Sequence, residues 1–146
     1  MSRLATPSPE QRPTGAKAVV FDTNALLLPF ANGTKLEDEL ENLLGATQWL
    51  VPSSVVVELK TLAHKGEGAT MRHAKMAVKY LERCEVVPTK LAGDDGLLEV
   101  ARARKAVVVT NDRTLQEECV RSGLTVIVAR ENGRRLAVKG AAAGPF

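Results

Sequence analysis

Five short runs of β-branched and apolar residues, each separated from the next by a helix-patterned stretch, constrain this chain more than any other feature. They are AVVF from Ala18, QWLVP from Gln48, CEVVP from Cys84, AVVVT from Ala106 and LTVIVAR from Leu124. Most are nearly continuous in apolar residues rather than alternating, so they read as strands buried on both faces, the pattern of a parallel sheet covered by helices. Parallel strands need long crossovers, and the intervening segments supply them. Leu36, Leu40, Leu43 and Leu44 fall at helical spacing, with Gly45 where a C-cap glycine belongs. Asp-Thr-Asn after the first run opens a short helix that Pro29 is expected to stop. Ser53 or Ser54 is expected to cap a helix reaching about residue 63, followed by a longer helix over 69–83. GLLEVARARK and NDRTLQEECVRSG supply two more. The fold class expected is α/β: a three-layer α/β/α sandwich with a parallel, roughly five-stranded central sheet.

Composition supports this. Hydrophobic residues make up 45% of the 146 residues but aromatics only 3%, so the interior is Val, Leu, Ile and Ala. The organisation expected is a flexible tail over 1–17, one domain over 18–130, and an extension over 131–146 that begins as an edge segment and is partly disordered. Basic residues gather at the two ends, Arg3, Arg12 and Lys17 against Glu10, and Arg130, Arg134, Arg135 and Lys139 against Glu131. Such ends are compatible with a polyanionic partner without requiring one. With Cys84 and Cys119 the only cysteines, a four-thiolate zinc site is excluded and at most one disulfide is available. No run approaches the roughly 20 apolar residues that span a bilayer, and no secretory signal is visible. The setting expected is the cytoplasm, with no membrane partner.

The acids fall at one edge of this sheet. Asp22 ends the first strand, Glu58 lies early in the helix after the second, Asp94 and Asp95 open the helix after the third, and Asp112 follows the fourth. Ligands of open α/β sheets bind outside the carboxyl ends of the strands. One acid at a helix start is explained by capping, and Glu58 taken alone reads as a solvated glutamate. Four or five together would repel one another unless cations neutralise them. Oxygen ligands without Cys or His select Mg²⁺ or Mn²⁺, as one or two ions, and His64 and His73 lie outside the acidic turns. A carboxylate-only metal site suits phosphodiester hydrolysis by an activated water.

FDTNALL, VPSSVVVELKTL, DDGLLEVA and VVVTNDRTLQ, in this order over about residues 18–130, together resemble the landmarks of PIN-domain nucleases. The resemblance implies a metal-dependent ribonuclease with catalytic and metal-binding Asp22, Glu58, Asp95 and Asp112. Thr23, Asn24, Thr110 and Asn111 would be supporting residues. At the third station the family's pattern aligns with Asp95-Gly96-Leu97-Leu98 and favours Asp95, with Asp94 a cap or an auxiliary ligand. Gly96 departs from the bulkier residue usual there and weakens the helix start. The paired aspartates look more like the rRNA-processing branch, whose substrate would be rRNA or pre-rRNA, than the VapC toxins, whose partner would be an antitoxin. A homodimer is compatible with either.

Arg72, Lys75, Lys79 and Arg83 form a basic stripe beside the apolar Met71, Ala74, Val78 and Leu81, and would hold RNA phosphates if that face borders the site. A solvated helix face explains the same stripe equally well. Two other functions compete. A phosphoacceptor receiver domain would want a Lys after the last strand, where Arg130 stands. A PIN fold that holds RNA or protein without cutting it stays open, because intact acids do not prove turnover. No G-x-G-x-x-G follows the first strand, which argues against a dinucleotide enzyme.

Overall fold

A computed structural model describes residues 16–140; most of the tail expected over 1–17, and residues 141–146 of the extension expected over 131–146, lie outside the described residues. The elements are β1 (Lys17–Phe21), α1 (Thr23–Ala31), α2 (Leu36–Leu44), β2 (Thr47–Pro52), α3 (Ser53–Lys65) and α4 (Gly68–Val78). A 3-10 turn (Lys79–Arg83) then leads to β3 (Glu85–Val87), α5 (Gly93–Arg104), β4 (Val107–Val109), α6 (Arg113–Arg121), β5 (Val126–Arg130) and β6 (Arg135–Gly140). The strands form one sheet in the order β3-β2-β1-β4-β5-β6. β1 to β5 are parallel, and β6 runs antiparallel to β5.

Strand alternation divides the core in two. Val19, Phe21, Trp49, Val51, Val107, Val109 and Ile127 face one side, where α1 to α4 contribute Leu26, Leu36, Leu40, Leu59 and Ala74. Val20, Leu50, Val108, Val126 and Val128 face the other, against Leu97, Leu98, Leu115 and Cys119 of α5 and α6. The α/β sandwich is therefore as expected, with one strand more than five. β6 grows from the residues read as an extension. Asn132-Gly133 is a hairpin dipeptide, and Glu131, Asn132 and Gly133 all adopt positive φ to reverse the chain.

Three local expectations are corrected. Pro29 does not stop α1, which continues to Ala31. An interior proline costs about 3 kcal/mol, but each buried leucine returns about 1.5–3 kcal/mol, and Leu26 and Leu27 are both buried one turn earlier. Neither Ser53 nor Ser54 caps α3; Pro52 holds the N-cap position without a side-chain bond. Ser53 Oγ instead accepts from Thr89 N at 3.0 Å and donates to Thr89 O at 3.4 Å, tying α3 to the loop after β3. The helix expected over 69–83 is regular only to Val78 and then tightens into the 3-10 turn. There Tyr80 packs between Phe30 and Trp49, with ring centroids 5.5 and 5.8 Å away.

Candidate active site

β1 leads outward to β2 and β3, and the chain then returns to place β4 on the other side of β1. The strand order reverses between β1 and β4, and the crevice beyond their carboxyl ends is where an open α/β sheet binds its ligands. Phe21 and Val109 are register partners. The residues that follow them, Asp22 and Thr110, are therefore brought face to face. The Thr110 hydroxyl donates to Asp22 Oδ2, and Ala25 N–H donates to Asp22 Oδ1 at 2.8 Å as the cap of α1.

Thr110 also organises the next acid. Its oxygen accepts Asp112 N–H at 3.0 Å, while Asp112 Oδ1 caps α6 by accepting Leu115 N–H at 3.0 Å. Behind it, buried Gln116 donates to the Thr110 carbonyl at 3.0 Å and accepts from Lys139 Nζ at 2.6 Å. Gln116 and Lys139 carry no signal in sequence that would single them out. The first is an ordinary helix residue, and the second comes from a strand expected only as an edge segment. Across the crevice, Glu58 Oε1 accepts the hydroxyl of buried Thr23 at 2.6 Å. Asn111 Oδ1 is held by Ala129 N–H at 2.8 Å. Asn24, expected as a supporting residue, lines a cleft together with Thr110 and Asn111, beside Leu28 and Asn32.

Burial pushes the Asp22 carboxyl up to about 6, further raised by the charges of Asp94 and Asp112 and opposed by its bonds from Thr110 and Ala25. Asp94 is also raised, first by desolvation and then by the charges of Asp112, Asp95 and Glu58. Of the two adjacent aspartates, Asp94 is the one whose charge raises Asp22, while the charge of Asp95 raises Asp94. The helix explains it. Residues three, four and seven places on share a face, and from Asp94 these are Leu97, Leu98 and Ala101, all buried. From Asp95 the same steps reach the exposed Glu99 and Arg102 beside Leu98.

The expected convergence is looser than a closed ligand cage. Among the described residues no three His, Cys, Asp or Glu side chains stand close enough to enclose a metal ion. The donor set nevertheless fits hydrated Mg²⁺ or Mn²⁺. Mg²⁺ keeps several waters and takes one or two carboxylates together with substrate phosphates. Asp112 Oδ2, Glu58 Oε2 and both Asp94 oxygens have no hydrogen-bond partner among the described residues, and each Asp22 oxygen keeps a lone pair.

Gly96 turns out to be required by packing. A Cβ there would lie 2.5 Å from the Leu91 carbonyl oxygen and 3.2 Å from Ser54 Oγ. On the basic stripe, Arg72, Lys75 and Lys79 are exposed. Arg83 separates from them: it pairs with Glu37 and stacks 5.0 Å over the Trp49 ring, beside the start of β2.

The family described as a PIN like domain matches residues 19–132. The chain belongs to that family. Among relatives of this PIN-like domain is ribonuclease VapC9 of Archaeoglobus fulgidus, 31% identical over 118 residues that cover 81% of this chain and 87% of the relative. The structure of the PIN domain endonuclease Utp24 superposes with a TM-score of 0.68 at 23% identity, covering 84% of this chain and 90% of that one. A domain of a functionally unknown protein from Methanocaldococcus jannaschii gives 0.57 at 16% identity, covering 80% and 93%. A VapBC2 structure from Rickettsia felis gives 0.51 at 19%, covering 68% and 92%. At these identities the structural matches speak for the fold. No helix among the described residues is long and apolar enough to cross a membrane.

Proposed function

We propose that this PIN-like domain is a divalent-metal-dependent endoribonuclease, with Mg²⁺ or Mn²⁺, as one or two ions, held by Asp22, Asp94 and Asp112, and with Glu58 and Asp95 completing the acidic rim. The observation that carries the reading is the clamping of Asp22 at the switch point by Thr110 and Ala25 N–H, under the charges of Asp94 and Asp112. A divalent cation bound there would lower the pKa of a water and neutralise phosphate charge. The chain's own residues fix geometry. Thr110 holds Asp22 and the Asp112 backbone, Thr23 holds one oxygen of Glu58, and Leu115 N–H holds one oxygen of Asp112. Such pre-orientation lowers the entropic cost of assembling the reacting groups.

The name of ribonuclease VapC9 supports RNA as the substrate, and that of the endonuclease Utp24 supports internal cutting. The paired aspartates favour rRNA or pre-rRNA as the source of that RNA, against the target of a toxin. The identity to VapC9 favours a toxin-type ribonuclease with an antitoxin partner as the second reading. A homodimer in the cytoplasm is consistent with both. Arg72, Lys75 and Lys79 are proposed to add phosphate contacts; Arg83, engaged by Glu37, is left out of this surface.

Cleavage of a single-stranded and a hairpin RNA by the purified chain, with Mg²⁺, with Mn²⁺ and with EDTA, tests the reading. Metal-dependent internal cuts are expected from the parent and none from Asp22→Asn. Parent-level cleavage by that variant, or cleavage that persists in EDTA, would reject the metal-site assignment. Tight RNA binding by a parent that does not cut would return the fold to a non-catalytic binding module.

A further inference from the structure

We infer that a second cleft, walled by Arg113, Arg130 and Lys139 on the β6 side of the acids, binds a phosphate of the RNA strand adjacent to the one held at the carboxylates. The inference rests on the ribonuclease reading and adds the side toward which the strand leaves the site. The cleft has a volume of about 190 Å³ and is lined by Asn111, Arg113, Gln116, Val128, Ala129, Arg130 and Lys139.

Strand alternation brings the cations together. Val126 and Val128 face α6, so Arg130, two residues on, lies on the same face of β5. Leu136 and Val138 face the opposite side, which leaves Lys139 on the α6 face of β6. Arg113 is the first residue of α6, one place after Asp112. Three cations gathered by a sheet should repel one another or find acids. Neither arginine makes an ion pair among the described residues, although Arg83, Arg104, Arg121 and Arg135 all do. Lys139 bonds to the neutral Gln116 amide and makes no ion pair among the described residues, although Glu117 lines the adjoining cleft together with it.

Unneutralised cations around a small polar cleft suit an anion. The planar guanidinium of arginine matches phosphate oxygens in a fork. Asn111 adds a donor: its Oδ1 is taken by Ala129 N–H, and its Nδ2 has no partner among the described residues. Because Asn111, Asp112 and Arg113 are consecutive, a strand whose phosphate sits at Asp112 has its next anionic group within reach of this cleft. The adjacent cations also offset the acids, which otherwise repel any polyanion.

Binding of a fluorescein-labelled single-stranded oligouridylate, measured in EDTA over a range of salt concentrations, tests the inference without cleavage. Lys139 is kept, because it holds Gln116 and through it Thr110. The variant is Arg113→Gln with Arg130→Gln. Lys105→Glu, which removes the same net charge in the turn between α5 and β4 at the other end of the sheet, is the control. The double variant should bind several-fold more weakly at low salt. Its slope of log affinity against log salt should be shallower by about 0.7 for each phosphate no longer held, and arginine-to-lysine replacements should restore part of both. Lys105→Glu should keep the parent's slope. Single variants replace the double one if it melts below the parent. Affinity and slope equal to the parent's would overturn the phosphate assignment and leave the cleft to an acidic protein segment. Failure of the parent to cut RNA with metal would reject the ribonuclease reading instead, while these binding curves still decide the cleft.

Discussion

Thr110 donates its hydroxyl hydrogen to Asp22 Oδ2 from just past the end of β4, 88 residues later in the chain. This bond, together with Ala25 N–H, opposes the burial that raises the Asp22 carboxyl. The same hydroxyl oxygen receives Asp112 N–H, so one buried threonine sets the spacing of two acids.

Thr110→Val keeps shape and burial but removes the donor. Hydrogen bonds to charged groups are worth about 1.5–3 kcal/mol, and losing this one favours the protonated form of Asp22. The metal-dependent cleavage rate should fall roughly tenfold or more, and the acid limb of its pH profile should move to higher pH. A pH–rate profile identical to the parent's would show that Thr110 does not tune Asp22.

Stability without metal should depend on Asp22 with a definite sign. An unfolded Asp titrates near 3.9 and the folded one at about 6. The folded state therefore holds the proton more tightly, and this contribution, full below about pH 4, is lost as pH rises through about 6. In EDTA, Asp22→Asn should melt at or above the parent's temperature at pH 7, by up to about 3 kcal/mol of stability, and the two should draw together at pH 4. Mg²⁺ should stabilise the parent more than the variant. A variant that melts below the parent at pH 7 in EDTA would mark Asp22 as a structural cap.

Gly96→Ala should cost about 1–3 kcal/mol, the range for overpacking. The added Cβ meets a backbone carbonyl, Leu91 O, which yields less readily than a side chain. Because Asp94 is two residues away on the same helix, cleavage should fall with stability, and urea denaturation beside an activity assay would reveal both losses. Unchanged stability would mean that the Leu91 loop moves aside freely.

Burial raises the Cys84 thiol to about 12 and the Cys119 thiol to about 11, and neither forms a disulfide. At pH 8 almost no thiolate is present in the folded chain. Labelling with a thiol-disulfide reagent should be slow in buffer and should reach two equivalents promptly in denaturant. Fast labelling of either residue in the native protein would contradict its burial.

Much of this architecture is legible in sequence because burial on both faces writes uninterrupted apolar runs, as in AVVF and AVVVT. The acids are legible as a set because each follows a strand. What escapes a sequence reading depends on rotation, pairing or competing energies. Asp94 and Asp95 differ by one helical step, and only the buried Leu97 and Leu98 set the phase. β6 is mixed in composition, and its hairpin signal Asn132-Gly133 sits between charged residues. Pro29 is overruled by the burial of Leu26 and Leu27, which no local rule weighs. Arg83 belongs by spacing to the basic stripe, but the tightened turn after Val78 and the acid Glu37 on α2 take it elsewhere.

The pairing of β1 with β4 also governs when the site comes into being. A chain still in synthesis presents Asp22, then Glu58, then Asp94, while β1 has only β2 beside it. Until β4 arrives there is no Thr110 to clamp the first acid and no Asp112 to complete the set. A fragment broken off before residue 107 carries most of the charged groups and none of the arrangement. The strand reversal thus makes the assembled site a late event, tied to the completion of a folded sheet.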